Sequence, residues 1–120
     1  MNDPDILDVR TPAEWERWLD RHHASAPEVW LRLFNKNSPE PGVGYGEAVE
    51  IALCFGWIDS MTRRFDEVSR IQRFSPRKPK SAWSPSNAER VQRLVEAGRM
   101  REAGQRLIDA AKADGRWPTT

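Results

Sequence analysis

Hydrophobic and polar positions alternate along this chain in two periods, and the switches between them mark its elements. Trp15, Trp18, Leu19 and His22 recur at i, i+3, i+4 and i+7, one face of a helix. Thr11-Pro12-Ala13-Glu14 just before them is a helix start. Thr11 caps, Pro12 suits the first helical position, and Glu14 stands where a capping box needs a carboxylate. This helix is expected to end near His23, before Pro27. Glu28 to Lys36 then reads as a strand in which Val29, Leu31 and Leu33 alternate with Trp30, Arg32 and Phe34. Both faces are largely apolar, which predicts a covered, central strand. Asn37 to Gly46, rich in proline and glycine, predicts a loop.

Tyr45 to Gly56 predicts a second helix. Ala48, Val49, Ile51, Ala52, Leu53 and Phe55 spread around a wide apolar arc, and such a helix is mostly buried. Trp57 to Phe65 and Val68 to Phe74 predict two strands turning at Asp66-Glu67 as an antiparallel hairpin. On the second strand Ile71 and Arg73 share one face, and Arg70, Gln72 and Phe74 the other. Pro76 and Pro79 are expected to stop ladder pairing and hold the following segment extended. Ser84-Pro85 opens a third helix with Val91, Leu94 and Val95 as its apolar side and Gly98 as its stop. A fourth runs from about Met100 to Asp114 with Met100, Ala103, Leu107 and Ala111 as its stripe. Residues 1 to 10 read as a lead-in. The sum is a single α+β domain over residues 1–120: a small three-stranded antiparallel sheet with four helices packed on it.

Bulk composition narrows the class. The chain has 120 residues and a net charge of +1, with 31% charged residues, six tryptophans and one cysteine. A lone cysteine makes no internal disulfide, and no apolar run approaches the roughly 20 residues that span a bilayer. The expectation is a soluble, cytoplasmic protein in a reducing compartment, with no transmembrane segment and no cofactor. Oligomeric state is not legible.

Charge is unevenly placed. Between Arg63 and Arg93 nine cations face three acids, a local excess of +6 in a chain of total +1. Within that region Arg73, Arg77, Lys78, Lys80 and Trp83 lie along a proline-stiffened segment ending at Ser84 before a helix. Guanidinium forks on a stiff backbone are an anion-binding arrangement, and stiffness lowers the entropy lost on binding. The same residues also suit a solvated loop pinned by Trp83. Asp59 follows the buried helix and needs a partner; Arg63, Arg64 and Arg73 are the expected ones. It is either a structural ion pair or a carboxylate working in a cleft.

Other chemistry-bearing residues read as structural. Cys54 falls near a helix C-terminus with Glu47 and Glu50 on its side, an environment that raises rather than lowers a thiol pKa. His22 and His23 are adjacent on a helix and point about 100° apart, so they do not grip one ion together. With one cysteine elsewhere there is no soft-ligand metal set.

Several stretches carry a family likeness: ALCFGWIDS (52–60), RRFD (63–66), RFSPRKPKSAWS (73–84), NAERVQRLVEAGRM (87–100), the opening EWERWLDRHHASAPEVWLRLFNK (14–36) and AKADGRW (111–117). Taken in order they resemble the YdeI/OmpD-associated family of bacterial proteins. The resemblance implies a role in resistance to bacteriocins or cationic peptides, with association to an outer-membrane porin and no established reaction. Longer members continue past the AKADGRW-like point into a linker and a further helical segment, so the resemblance implies either a short form lacking that C-terminal segment or a piece from which it is missing. Where Arg101 stands, relatives tend to carry a small helix-capping residue.

Three functional readings follow. The first is a non-enzymatic accessory or stress-resistance protein that binds an anionic ligand or protein partner through the basic corner of Arg73, Arg77, Lys78, Lys80 and Trp83. The second is a nucleic-acid or other polyanion-binding module, against which the near-neutral total charge weighs. The third is an enzyme with a cleft around Asp59.

Overall fold

The computed structural model describes residues 5–118, so the first four residues of the expected lead-in lie outside it. Eight elements follow in order: β1 (Ile6–Leu7), α1 (Pro12–His22), β2 (Val29–Phe34), α2 (Tyr45–Cys54), β3 (Trp57–Arg64), β4 (Ser69–Pro76), α3 (Pro85–Glu96) and α4 (Glu102–Ala113). The α+β class and the four helices stand. The sheet does not: it has four strands in the order β1-β2-β4-β3, with β1 parallel to β2 and the other pairs antiparallel. The added strand is Ile6–Leu7, paired Ile6 to Trp30 and Leu7 to Leu31. Two residues are too few to show a period, so the lead-in hides it. With β1 in place, α1 becomes the crossover that parallel neighbours require.

Helix boundaries follow from capping chemistry. At α1 the Thr11 hydroxyl accepts from the Glu14 N–H at 3.2 Å, and the Glu14 carboxylate accepts from the Thr11 N–H at 3.1 Å. The Ser84 hydroxyl accepts from the Asn87 N–H at 3.1 Å at the start of α3, with Pro85 at the first helical position. α3 and α4 end alike. Gly98 (φ 72°) and Gly115 (φ 75°) are left-handed, and the next residue returns its N–H into the helix: Arg99 to the Leu94 carbonyl, Arg116 to the Ala111 carbonyl. Both are Schellman stops, which turn the chain back across its helix.

β2 is central and buried on both faces, as its composition predicts. α2 is the hub of the helical layer, packing on α1, α3, α4 and β3. Trp15 and Trp57 anchor that layer, buried at 0% and 1% exposure. Their indole N–H groups donate to the Ala48 carbonyl at 3.1 Å and the His23 carbonyl at 3.2 Å. A buried indole stabilises a core only when its N–H is met, and both are.

Three local expectations change. Pro76 does not stop the ladder: it is the cross-strand partner of Trp57, and the next bond runs from the Arg77 N–H to the Gly56 carbonyl. β2 ends opposite Phe74, so the N–H that Pro76 lacks has no strand to meet. Val95 is 41% exposed rather than part of the α3 apolar side. The buried stripe of α4 is Gly104, Ile108 and Ala111, one residue round from the expected Ala103 and Leu107, which are half-buried. Gly104 explains the rotation: its bare Cα faces the carbonyls that end α2.

Candidate functional site

The chain leaves β4 at Pro76 and reaches α3 at Pro85 through the segment that carries most of the candidate residues. The Arg77 N–H is tied to the Gly56 carbonyl, which fixes where its side chain starts. That side chain lies over Trp83, guanidinium carbon to ring centroid 3.8 Å. It donates to the Ser81 hydroxyl at 3.2 Å and the Ala82 carbonyl at 3.1 Å. Ser81 closes a turn on Lys78, its N–H at 3.0 Å and its hydroxyl at 2.9 Å from the Lys78 carbonyl. The segment is thus a folded corner rather than an extended track. Lys78 and Lys80 project from it, both exposed.

Trp83 does not offer a face to a ligand. It is 6% exposed and belongs to the core, with Arg77 covering its ring. Its other neighbour is Trp117, ring centroids 5.4 Å apart. Trp117 in turn has the Lys112 ammonium 5.1 Å from its centroid. The Schellman stop of α4 delivers Arg116 to the same place, where it donates to the Ser81 carbonyl at 3.1 Å and to Asp114 at 2.9 Å. Arg116 Nε is buried and meets no hydrogen-bond partner among the described residues. Burial, and secondarily the Arg116 charge, pulls the Arg77 pKa below its ordinary value. Arg77, over the Trp83 ring, and Arg116 are both held against Ser81, and among the described residues the one carboxylate in contact is Asp114 on Arg116, so the corner is positively charged.

Sequence reasoning missed Lys112 and Arg116 because they lie thirty-five and thirty-nine residues from Arg77. The signal was present: Asp114-Gly115-Arg116-Trp117 ends a helix at a glycine, and such a stop folds the next residues back.

Arg73 is elsewhere. It sits four residues before Arg77 on β4 and is engaged by Glu28 at 2.5 Å, with the Ser60 and Ser75 hydroxyls at 3.2 and 3.4 Å. Asp59 is not paired with Arg63, Arg64 or Arg73 as expected. It accepts a hydrogen bond from the Tyr45 hydroxyl at 2.8 Å, at the start of α2. The bulge between Asp59 and Thr62 breaks the β3–β4 register there. Burial, then Asp59, holds the Tyr45 pKa above its usual value, so the phenol is the donor at neutral pH.

Cys54 is buried, and burial pushes its thiol up to about 11. A cavity of about 380 Å³ opens beside it, lined by Glu16, Arg99 and Arg101 among others. Arg101 pairs with Glu16 at 3.1 Å and Arg99 with Glu50 at 3.6 Å, so its cations are neutralised. Arg101 also stands at the N-cap of α4 with no side-chain cap, its N–H donating instead to the Cys54 carbonyl at 3.1 Å. His23 Nδ1 lies 2.7 Å from the Leu19 carbonyl, and His22 packs on Trp18. Among the described residues no group of three His, Cys, Asp or Glu side chains is arranged to hold a metal, and no helix is long and apolar enough to cross a membrane.

The model of one protein family, a domain of unknown function (DUF8412), matches residues 7–107. No curated protein and no solved structure matches. The matched span holds Arg77, Lys78, Lys80 and Trp83 and stops before Lys112, Arg116 and Trp117.

Proposed function

The chain belongs to the DUF8412 family, whose description carries no activity, and we propose that it is a non-enzymatic accessory protein that binds an anionic group at the Arg77–Arg116 corner. The observation that carries this reading is the approach of two like charges: Arg77 and Arg116 both bond to Ser81, and no described carboxylate contacts Arg77. Holding cations together out of water is costly unless something of opposite charge completes the set. Lys78 and Lys80 stand exposed on the same folded segment as Arg77, Lys112 lies against Trp117, and among the described residues Asp114 is the acid in contact with the pair. The site is preformed, since the Trp83 ring, Ser81 and the Ala82 carbonyl fix Arg77 before any ligand arrives.

The ligand is met by guanidinium and ammonium groups rather than by indole stacking, because Arg77 already covers Trp83. This favours a phosphate or carboxylate group over a base-stacked single strand. Arg73, ion-paired to Glu28, takes no direct part. The resemblance of ALCFGWIDS and RFSPRKPKSAWS to the YdeI/OmpD-associated family supplies the setting: a bacterial stress-resistance role exercised through an anionic partner. Trp83 and Trp117 make the site self-reporting. A fluorescence titration with pyrophosphate and an acidic peptide, each at low and high salt, is expected to saturate for one of them. A flat response to both at low salt rules the proposal out.

A further inference from the structure

Among the described residues three arginines bond to serine hydroxyls. Arg32 donates to Ser69 at 3.0 Å, Arg73 to Ser60 and Ser75 at 3.2 and 3.4 Å, and Arg77 to Ser81 at 3.2 Å. Two of the three are also ion-paired, Arg32 to Asp8 and Asp66, and Arg73 to Glu28. Arg77 has its serine and, among the described residues, no carboxylate. Burial and then the Arg116 charge move its pKa, both downward, with no acid to offset them.

A second guanidinium meets the same serine. Arg116 donates to the Ser81 carbonyl at 3.1 Å. Both arginines have donors to spare: Arg77 Nε and Nη1 and Arg116 Nε meet no acceptor among the described residues. Lys78 and Lys80 stand exposed on the same segment, Lys112 lies against Trp117, and Asp114 is on Arg116 at 2.9 Å. A phosphoryl group on a serine oxygen brings close to two negative charges and three acceptor oxygens, and opposite an arginine cluster it makes new charge-assisted bonds.

Ser81 is also within reach of a modifying enzyme. It lies half-buried in the loop between β4 and α3, with Lys78, Pro79, Lys80 and Ala82 exposed around it. Its hydroxyl donates to the Lys78 carbonyl at 2.9 Å, one bond inside a surface turn. Arg77, Lys78 and Lys80 stand four, three and one residues before it, a cationic run of the kind an acidic substrate groove selects by charge.

We propose that Ser81 is a phosphorylation site and that Arg77 and Arg116 hold the phosphate it receives. In the transfer the Ser81 oxygen bonds to the γ-phosphorus of a nucleoside triphosphate. The bond from that phosphorus to the β–γ bridging oxygen breaks, nucleoside diphosphate leaves, and the hydroxyl proton passes to a base of the transferring enzyme. The inference rests on the reading of this corner as an anion site and makes the anion the chain's own.

The full chain is incubated with ATP and a protein kinase that selects serines preceded by basic residues, and fragment masses locate the phosphate. Ser81 is the expected position, and Ser81→Ala should lose that signal. The chain made with phosphoserine at position 81 is then followed by phosphorus NMR across pH. The second phosphate pKa is expected at least about one unit below its ordinary value of about 6, and Arg77→Gln or Arg116→Gln should each return it towards that value. Pyrophosphate affinity should fall about tenfold or more in the phosphorylated chain, because the donors are taken. Transfer that passes Ser81 by, a phosphate that titrates like free phosphoserine, or a chain that unfolds once phosphorylated overturns the proposal. If the unmodified chain still binds pyrophosphate in those cases, the corner stands as a site for a free anion and only this inference falls. A lowered phosphate pKa in a chain whose unmodified form ignores pyrophosphate upholds this inference and removes the free ligand instead.

Discussion

The Arg77 guanidinium rests 3.8 Å from the centroid of Trp83, a ring only 6% exposed. The indole acts as a floor that aims the arginine. Cation–π contact with a desolvated ring is worth up to about 2 kcal/mol, and it suits the flat guanidinium better than an ammonium. Arg77→Lys therefore keeps the charge and loses the aim.

Arg73→Gln separates the two arginines that the sequence places together. Arg73 is engaged by Glu28 and two serine hydroxyls. Its removal should leave anion affinity within about twofold while lowering stability by about 1 kcal/mol, the value of a partly exposed pair. Urea unfolding and a parallel titration check both halves. An affinity loss as large as that of Arg77→Gln would place Arg73 in the site.

Gly104→Ala should destabilise the protein by about 1–3 kcal/mol, the usual cost of overpacking. The added Cβ would stand 2.5 Å from the Cys54 carbonyl oxygen and 2.7 Å from that of Leu53. Both are backbone atoms at the end of α2, so α4 must shift. A urea midpoint equal to wild type would mean that α4 does not pack this closely.

The thiol of Cys54 is raised to about 11 by burial, so at neutral pH it is protonated and screened. It should react with a disulfide reagent at pH 7 far more slowly than free cysteine and reach the free rate only in denaturant. The sign of the linkage follows. A folded pKa above the unfolded one gives stability that is whole below about 8.5 and declines as pH rises towards the folded value. Rapid labelling of the native protein would contradict this burial.

At the acid end the relevant group is Asp66. The Ser69 hydroxyl, at 2.7 Å, is the largest cause holding its carboxyl below the ordinary value, followed by the Val68 N–H at 3.0 Å, with Arg32 adding to both. A depressed folded pKa gives stability that is present above about 4 and lost as pH falls through the lower folded value. Asp66→Asn should flatten that acid limb in urea melts recorded between pH 2 and 6. An unchanged limb would assign acid sensitivity to Glu14 and Glu102, whose carboxyls are also lowered.

How far this could be read from the sequence depends on range. Thr11 with Glu14 and Ser84 with Pro85 are local signals, and both caps form as read. The apolar arc of α2 is dense enough to declare its burial. β1 is too short to show a period and exists only because β2 lends it a partner. Asp59 looks surrounded by arginines along the chain, yet its partner, Tyr45, comes from fourteen residues upstream through the packing of α2 on β3. The corner was half visible: Arg77, Lys78, Lys80 and Trp83 lie in one run, but Arg116, which gives the corner its paired charge, arrives through the turn after α4.

Anion binding at the Arg77–Arg116 pair is decided by calorimetric titration of pyrophosphate into wild type, Arg77→Gln and Arg116→Gln at low and high salt. Saturable binding is predicted for wild type, weakening as salt rises, with about a tenfold or greater loss in each variant and both variants folded by circular dichroism. Wild-type heat that never saturates, or equal affinity in all three proteins, would show that the corner serves only to hold β4 to α3.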